Sequence, residues 1–300
     1  MLEILPQVLW YSLLASAIYA LIAVGLTLTF GVLEFINFAH GEMATIGAYG
    51  LFGLWIVLKL PYFVAFILVA LGASLFGIIL EKITFKRMRK SHPFKPLVVS
   101  IGVSVLIQAV VVIVFGGGVK SYRQSGEMAT KTLSFFNGNL VITESQIFLI
   151  VTTIILLIAI GIFLKYSRTG KAIRAVADNR EVAAILGIKV DKIISIIFLL
   201  GSGLAAIAGM LIGAEQNLNS NMGLSLSVKA FVVIVLGGLG NVTGAIVGAL
   251  IIGFSENFLV AFTAVPQSLK DAVVFCMLIL ILFIRPNGIL GENFETEARK

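Results

Sequence analysis

The sequence predicts an all-α polytopic membrane protein with about eight apolar segments, one or two of them broken or re-entrant, and three observations carry that prediction. Of its 300 residues, 59% are hydrophobic and only 12% charged, with a mean hydropathy of +1.07. A soluble domain carries about 25% charged residues, and half that number cannot cover a folded surface in water. Runs such as 148–164 and 230–254 leave no polar face. The basic residues, finally, are clustered: 13 of the 22 Lys and Arg fall in two short polar stretches. A water-soluble enzyme is excluded, and so is a disordered chain, because the composition is rich in Phe, Ile, Leu and Val.

Each residue of a helix adds 1.5 Å, so crossing a ~30 Å hydrocarbon core takes ~20 mostly apolar residues. The backbone must be helical there, since hydrocarbon offers amide groups no partner. In chain order the candidates are 8–30, 41–58, 62–80, 97–115, 145–164, 193–212, 229–254 and 271–284. Residues 1–7 have no basic region and no small-residue cleavage site after them, and read as the lead-in to a retained span. The one cysteine, Cys276, sits in an apolar run and allows no intrachain disulfide.

The loop at 81–96 holds Lys82, Lys86, Arg87, Arg89, Lys90 and Lys95 against Glu81 alone. The loop at 165–192 holds Lys165, Arg168, Lys171, Arg174, Arg180, Lys189 and Lys192 against Asp178, Glu181 and Asp191. Short loops rich in Lys and Arg stay cytoplasmic. The net charge of +7 therefore reads as a topology signal and not as a nucleic-acid surface. The segment 116–144 is then external, in keeping with its Gly116–Gly118 run and near-balanced Lys120, Arg123 and Lys131 against Glu127 and Glu144. It reads as a small hairpin or helix over the outer mouth. The whole of 1–300 forms one transmembrane domain. The N-terminus lacks Lys and Arg before the first span, and Arg285 follows the last. An external start and a cytoplasmic end require an odd number of crossings, so one segment turns back or a span is hidden in 255–267.

Two segments are interrupted. Residues 235–244 place Gly237, Gly238, Gly240, Gly244 and Asn241 in an apolar run. Glycine costs a helix about 1 kcal/mol relative to Ala, which predicts a break near the bilayer midplane. Gly240, Gly244 and Gly248 also recur at the spacing that lets helices approach, so close packing and a pathway role both stand. The second interruption is Phe35–Glu42, where Asn37, His40 and Glu42 are interleaved with Phe35 and Phe38. It predicts a short unwound element at membrane depth, tolerated only against protein or a watery cavity. His40 ties the turn by a hydrogen bond or meets a solute, and Glu42 sits where it can cap the next helix. With only one other histidine, His92, on a basic loop, no metal site is expected. A broken segment near each end is the pattern of a transporter built from repeats, with 41–53 and 240–253 as the faintly similar stretches.

Residues 167–192 are Ala-rich and free of Pro; 171–177 and 180–186 read as short helices, with Asp178 and Asn179 between them and Gly187 as a stop. An amphipathic helix on anionic lipid and a docking surface for a soluble partner both fit this pattern.

Three motifs in order, Gly25–Gly31 with Ile36–Glu42, Gly170–Asn179 with Ala183–Ile188, and Gly237–Ala245, together with the closing Arg285–Gly291, resemble the LivH-type permease subunits of branched-chain amino-acid ABC importers. The resemblance implies a permease subunit in a bacterial or archaeal cytoplasmic (inner) membrane. Its partners would be a second related permease, two cytoplasmic ATP-binding subunits and an external substrate-binding protein. It implies alternating access in which those ATPases push on a coupling element formed by Gly170, Arg174, Ala175, Asp178, Asn179, Ala183 and Gly187. Asn37, His40, Glu42, Gly240 and Asn241 would line or brace the path. This chain has no Walker sequence, so ATP and Mg belong to the partners and this subunit binds no cofactor and catalyses nothing itself. The alternative is an ion-coupled secondary carrier for a small polar solute, using Glu34, Glu42, Glu215 or Glu256, all of which lie near predicted span ends.

Overall fold

The computed structural model describes residues 2–89, 91–92, 94–122, 131–135, 138–263, 266, 269–285 and 287–291. Lys90, Arg123, Glu127, Gln267 and Pro286, which figured in the sequence reading, lie outside the described residues. The chain is an all-α membrane protein. Helix α1 spans Leu5–Leu33, and after the short 3-10 turn Phe38–His40 come α2 (Glu42–Leu51, continued by a π-turn over Phe52–Val57), α3 (Tyr62–Leu80) and α4 (Phe94–Phe115). A hairpin follows, β1 (Thr132–Phe135) antiparallel to β2 (Leu140–Thr143), with Thr132 opposite Thr143. Then come α5 (Glu144–Tyr166), the short α6 (Arg168–Asp178) and α7 (Arg180–Ile185), α8 (Val190–Glu215), α9 (Met222–Gly237), α10 (Val242–Phe262) and α11 (Lys270–Ile284).

Six of these helices are long and apolar enough to cross a membrane. Burial sorts them: 72% of the most apolar window of α1 and of α8 is enclosed by protein, against 17% for α5 and 22% for α4. Helices α1 and α8 are therefore the centre, and α3, α4 and α5 turn rows of Leu, Ile, Val and Phe outward. Such a surface is stable against lipid or another apolar protein face and not in water.

The segment expected as one span over 229–254 is two helices. Helix α9 starts earlier, at Met222, and α10 runs on to Phe262, which absorbs most of the stretch suspected of hiding a span. Among the described residues α9 is a shorter apolar helix beside the six long ones. The glycine run is the turn between α9 and α10. Gly238 (φ 111°) and Gly240 (φ 82°) take backbone conformations open to glycine. Asn241 then caps α10 by accepting from the Gly244 amide (3.0 Å). This turn lies against Gly31, near the end of α1, and not at mid-depth as the run of glycines had implied.

The genuine mid-depth breaks lie elsewhere. Helix α1 runs from the hairpin end of the bundle to the basic end, where Glu34 closes it in a left-handed conformation (φ 57°). Residues 35–41 then climb back until His40 reaches the level of Ile22, and there α2 begins. Eleven residues separate Ile22 from Leu33, so that climb is about 16 Å. Residues 216–221 descend correspondingly from the hairpin end of α8, and α9 begins level with Glu42. The units α1–α2–α3 and α8–α9–α10 thus run in opposite directions, and their packing is reciprocal: α1 lies on α10 as α8 lies on α3, and α1 lies on α9 as α8 lies on α2. The stretch related to 41–53 is therefore α9, and not 240–253.

Candidate functional site

The two broken crossings meet at the centre. Asn37 turns the chain by accepting from the Ala39 amide (3.1 Å), and Phe38 N–H donates to Ser100 Oγ (3.1 Å). Ser227 of α9 joins the halves: its hydroxyl donates to Phe38 O (2.7 Å) and accepts from Gly41 N–H (2.9 Å). Gly41 is required there, because a Cβ would strike the Gly223 carbonyl and the Ser227 side chain. His40 is fully enclosed. Its Nε2 lies 3.2 Å from Ile22 O, and a carbonyl only accepts, so Nε2 carries the proton. The ring fits between Gly25 and Gly201, where a Cβ on either would come within 3.0 Å of the other's carbonyl oxygen.

Glu42 is buried and tied by three donors: Thr45 Oγ1 (2.9 Å), Ser104 Oγ (2.7 Å) and Gln108 Nε2 (2.7 Å). Ser100, Ser104 and Gln108 place the polar stripe of α4, at helical spacing, onto this element. Helices α2 and α8 cross backbone to backbone, Gly47 against Ala206 and Gly209 against Ala44. Asn37, His40 and Glu42 are thus brought together, whereas Gly240 and Asn241 sit at the basic end. There Asn241 Nδ2 donates to Leu290 O (2.9 Å), and the Ile289 and Leu290 amides strap residues 289–290 onto the end of α9.

Beyond the basic end, Ser167 caps α6 at the Gly170 amide (2.8 Å), and Gly170 packs on the backbone of Phe163 and Leu164. Asn179 caps α7 at Val182 N–H (2.9 Å), and Gly187 (φ 84°) ends the element. Ile173, Val176 and Ala183 face the bundle. Arg174, Asp178 and Asn179 are exposed, with Ala175 half-buried. Val182, Ile185 (85% exposed) and Leu186 (73%) form an apolar ridge pointing away from the protein. Arg180 reaches Glu34 at 3.8 Å, linking α7 to the end of α1. Burial holds the Arg180 guanidinium below its ordinary value, and Glu34 opposes that shift.

Residues 8–282 match the family described as the permease component of the branched-chain amino acid transport system. The chain belongs to that family. It is 35% identical to the high-affinity branched-chain amino acid transport system permease protein LivH of Escherichia coli, over 91% of each chain. It is 35% identical to BraD of Pseudomonas aeruginosa over 95% of each, and 28% identical to the probable LivH of Methanocaldococcus jannaschii over 96% of this chain and 93% of that one. No solved structure matches.

Two features of this permease escaped the sequence reading. One is an ionic cluster around the buried Glu256: Lys229 Nζ lies 3.0 Å from Glu256 Oε1, 2.9 Å from Oδ1 of the exposed Asp271 and 3.2 Å from Tyr19 OH, which itself donates to Glu256 Oε2 (2.7 Å). Glu256, although near a span end in the sequence, is therefore buried and paired, and Glu42 is buried too. Of the four glutamates weighed for a carrier, Glu34 is exposed and Glu215 accepts from Gln146 Nε2 (2.9 Å). The second is the polar run Gln216-Asn217-Leu218-Asn219-Ser220-Asn221. It carries no charge, the signal that marks sidedness.

Proposed function

We propose that this permease is one of two pore subunits of an ATP-driven importer for branched-chain amino acids or closely related small solutes. It would lie in a bacterial or archaeal cytoplasmic membrane, with the basic end in the cytoplasm and the β-hairpin outside. The observation that carries the reading is the apolar ridge of Val182, Ile185 and Leu186, held out beyond the membrane by a well-capped α6–α7 pair. An exposed ridge of this kind is a protein contact. Its occupants would be cytoplasmic ATP-binding subunits, which supply ATP and Mg chemistry; an external binding protein delivers the solute, and a related permease completes the pore. ATP-driven closure pushes on Arg174, Asp178, Asn179 and the ridge, while Gly170, Ala175, Ala183 and Gly187 hold the element in shape. Arg180 and Glu34 pass the push to α1 and to the broken crossing that follows it. Asn37, His40 and Glu42, all satisfied by protein partners, brace that crossing, and Gly240 and Asn241 brace the cytoplasmic turn.

Ile185→Asp, with Arg174→Glu beside it, tests this. Both side chains are exposed, so membrane insertion should survive, whereas co-purification of the ATPase subunits and ATP-dependent leucine uptake should be lost. Normal uptake by both variants would overturn the proposal.

A further inference from the structure

Between α8 and α9 the chain shows a surface that lipid cannot cover. Trp10 Nε1 donates to Gln146 Oε1 (2.8 Å) and Gln146 Nε2 to Glu215, so Trp10, Gln146 and Glu215 mark one level at the hairpin end. Gly201, beside His40, lies 14 residues further down α8, about 21 Å below that level. Gly223 packs on Glu42 and Thr45, in the first turn of α2. Residues 216–221 therefore drop about 15 Å inward before α9 starts. Leu218 alone turns into the protein, its backbone paired both ways with Lys120. The side chains of Gln216, Asn217, Asn219 and Asn221 are exposed, as is that of Ser225 one turn along α9. Each carboxamide facing hydrocarbon would cost several kcal/mol.

Resting on the reading of this chain as a pore subunit, we propose that Gln216, Asn217, Asn219, Asn221 and Ser225 line the outer half of the solute path, and that their chemistry suits a zwitterion. A carboxamide offers an acceptor for an ammonium and donors for a carboxylate, and a hydroxyl offers both. No charged residue occurs in 216–228 itself. Glu215 precedes the run, Lys120 pairs with Leu218 through the backbone and Glu42 lies under Gly223. Charge thus sits at the edges of the surface, while its own side chains hold both ends of a zwitterion through neutral dipoles. The next residue on the same face, i+4 from Ser225, is Lys229, and Glu256 and Asp271 already neutralise it. A path of weak, neutral contacts lets its cargo leave.

The test places single cysteines in a Cys276→Ala background of the assembled importer in right-side-out membrane vesicles. Ser225→Cys and Asn221→Cys are compared with Ile154→Cys, a residue exposed at similar depth on the lipid-facing α5. A charged, membrane-impermeant methanethiosulfonate should modify the first two about tenfold faster or more, since only a hydrated thiolate reacts. The modification should stop leucine uptake, and excess leucine should slow it. Ser225→Cys reacting as slowly as Ile154→Cys, or reacting without loss of uptake, would overturn the inference. Fast, leucine-protected labelling in a chain whose uptake proves independent of ATP would support the path and sink only the ATP-driven reading.

Discussion

Lys229→Ala is the sharpest probe of how the bundle is held together. In the native chain Lys229 bridges α9 to Glu256 of α10 and Asp271 of α11, with Tyr19 of α1 closing the group. Glu256 is 4% exposed and has no water to fall back on. Removing the ammonium leaves Glu256 with the Tyr19 hydroxyl alone, and stripping one partner from a buried pair costs about 3–5 kcal/mol. Asp271 is largely exposed and loses little. At roughly 2–4 °C per kcal/mol for a chain approaching this size, the apparent Tm should fall by about 10 °C. Lys229→Met with Glu256→Met removes both charges and keeps apolar volume, so that pair should recover most of the loss. The assay is thermal aggregation of the detergent-solubilised permease followed by size-exclusion chromatography. A Lys229→Ala protein melting within a degree or so of wild type, or a double variant as unstable as the single, would refute the assignment of Lys229 as the counter-charge of a buried carboxylate.

Two further outcomes follow from the centre of the fold. Ser227→Ala strips Gly41 N–H and Phe38 O of their shared partner at once; at about 1–3 kcal/mol for each orphaned group, it should lower thermal stability by several degrees in the same assay, and an unchanged melting curve would count against the junction. Gly209→Val drives a branched side chain into the Ala44 backbone, where neither helix can yield, and should abolish assembly as judged by the yield of membrane-inserted protein, whereas Gly102→Ala, with open space around it, should leave the yield unchanged.

Most spans, the two basic loops and the Asn179 cap of α7 were legible because each is written in local composition. A run of about twenty apolar residues, a cluster of Lys and Arg, or an Asn before a helix mean the same thing in any tertiary setting. The element around Asn37, His40 and Glu42 was legible as a break for the same reason, since polar groups among phenylalanines have nowhere to go but inward. Their partners were not, because Ser227, Ser104 and Ile22 lie far away in sequence. The glycine run misled about depth. Glycines announce that a helix stops, but how far in it stops depends on where its neighbours end, and Gly240 meets Gly31 only after folding. Lys229 and Glu256 likewise carry no local sign that they will meet, and the uncharged run at 216–221 looks like any loop until Gly223 is seen against Glu42.

The reciprocal packing of α1–α2–α3 and α8–α9–α10 has a consequence for vectorial transport. The two units run in opposite senses and pair their helices in the same order, though not to the same extent. Under alternating access, a mouth facing one compartment would be built from the same kinds of helix pairs as a mouth facing the other. A bias of a few kcal/mol would then tip the balance between them, and whatever grips the unequal ends would supply it.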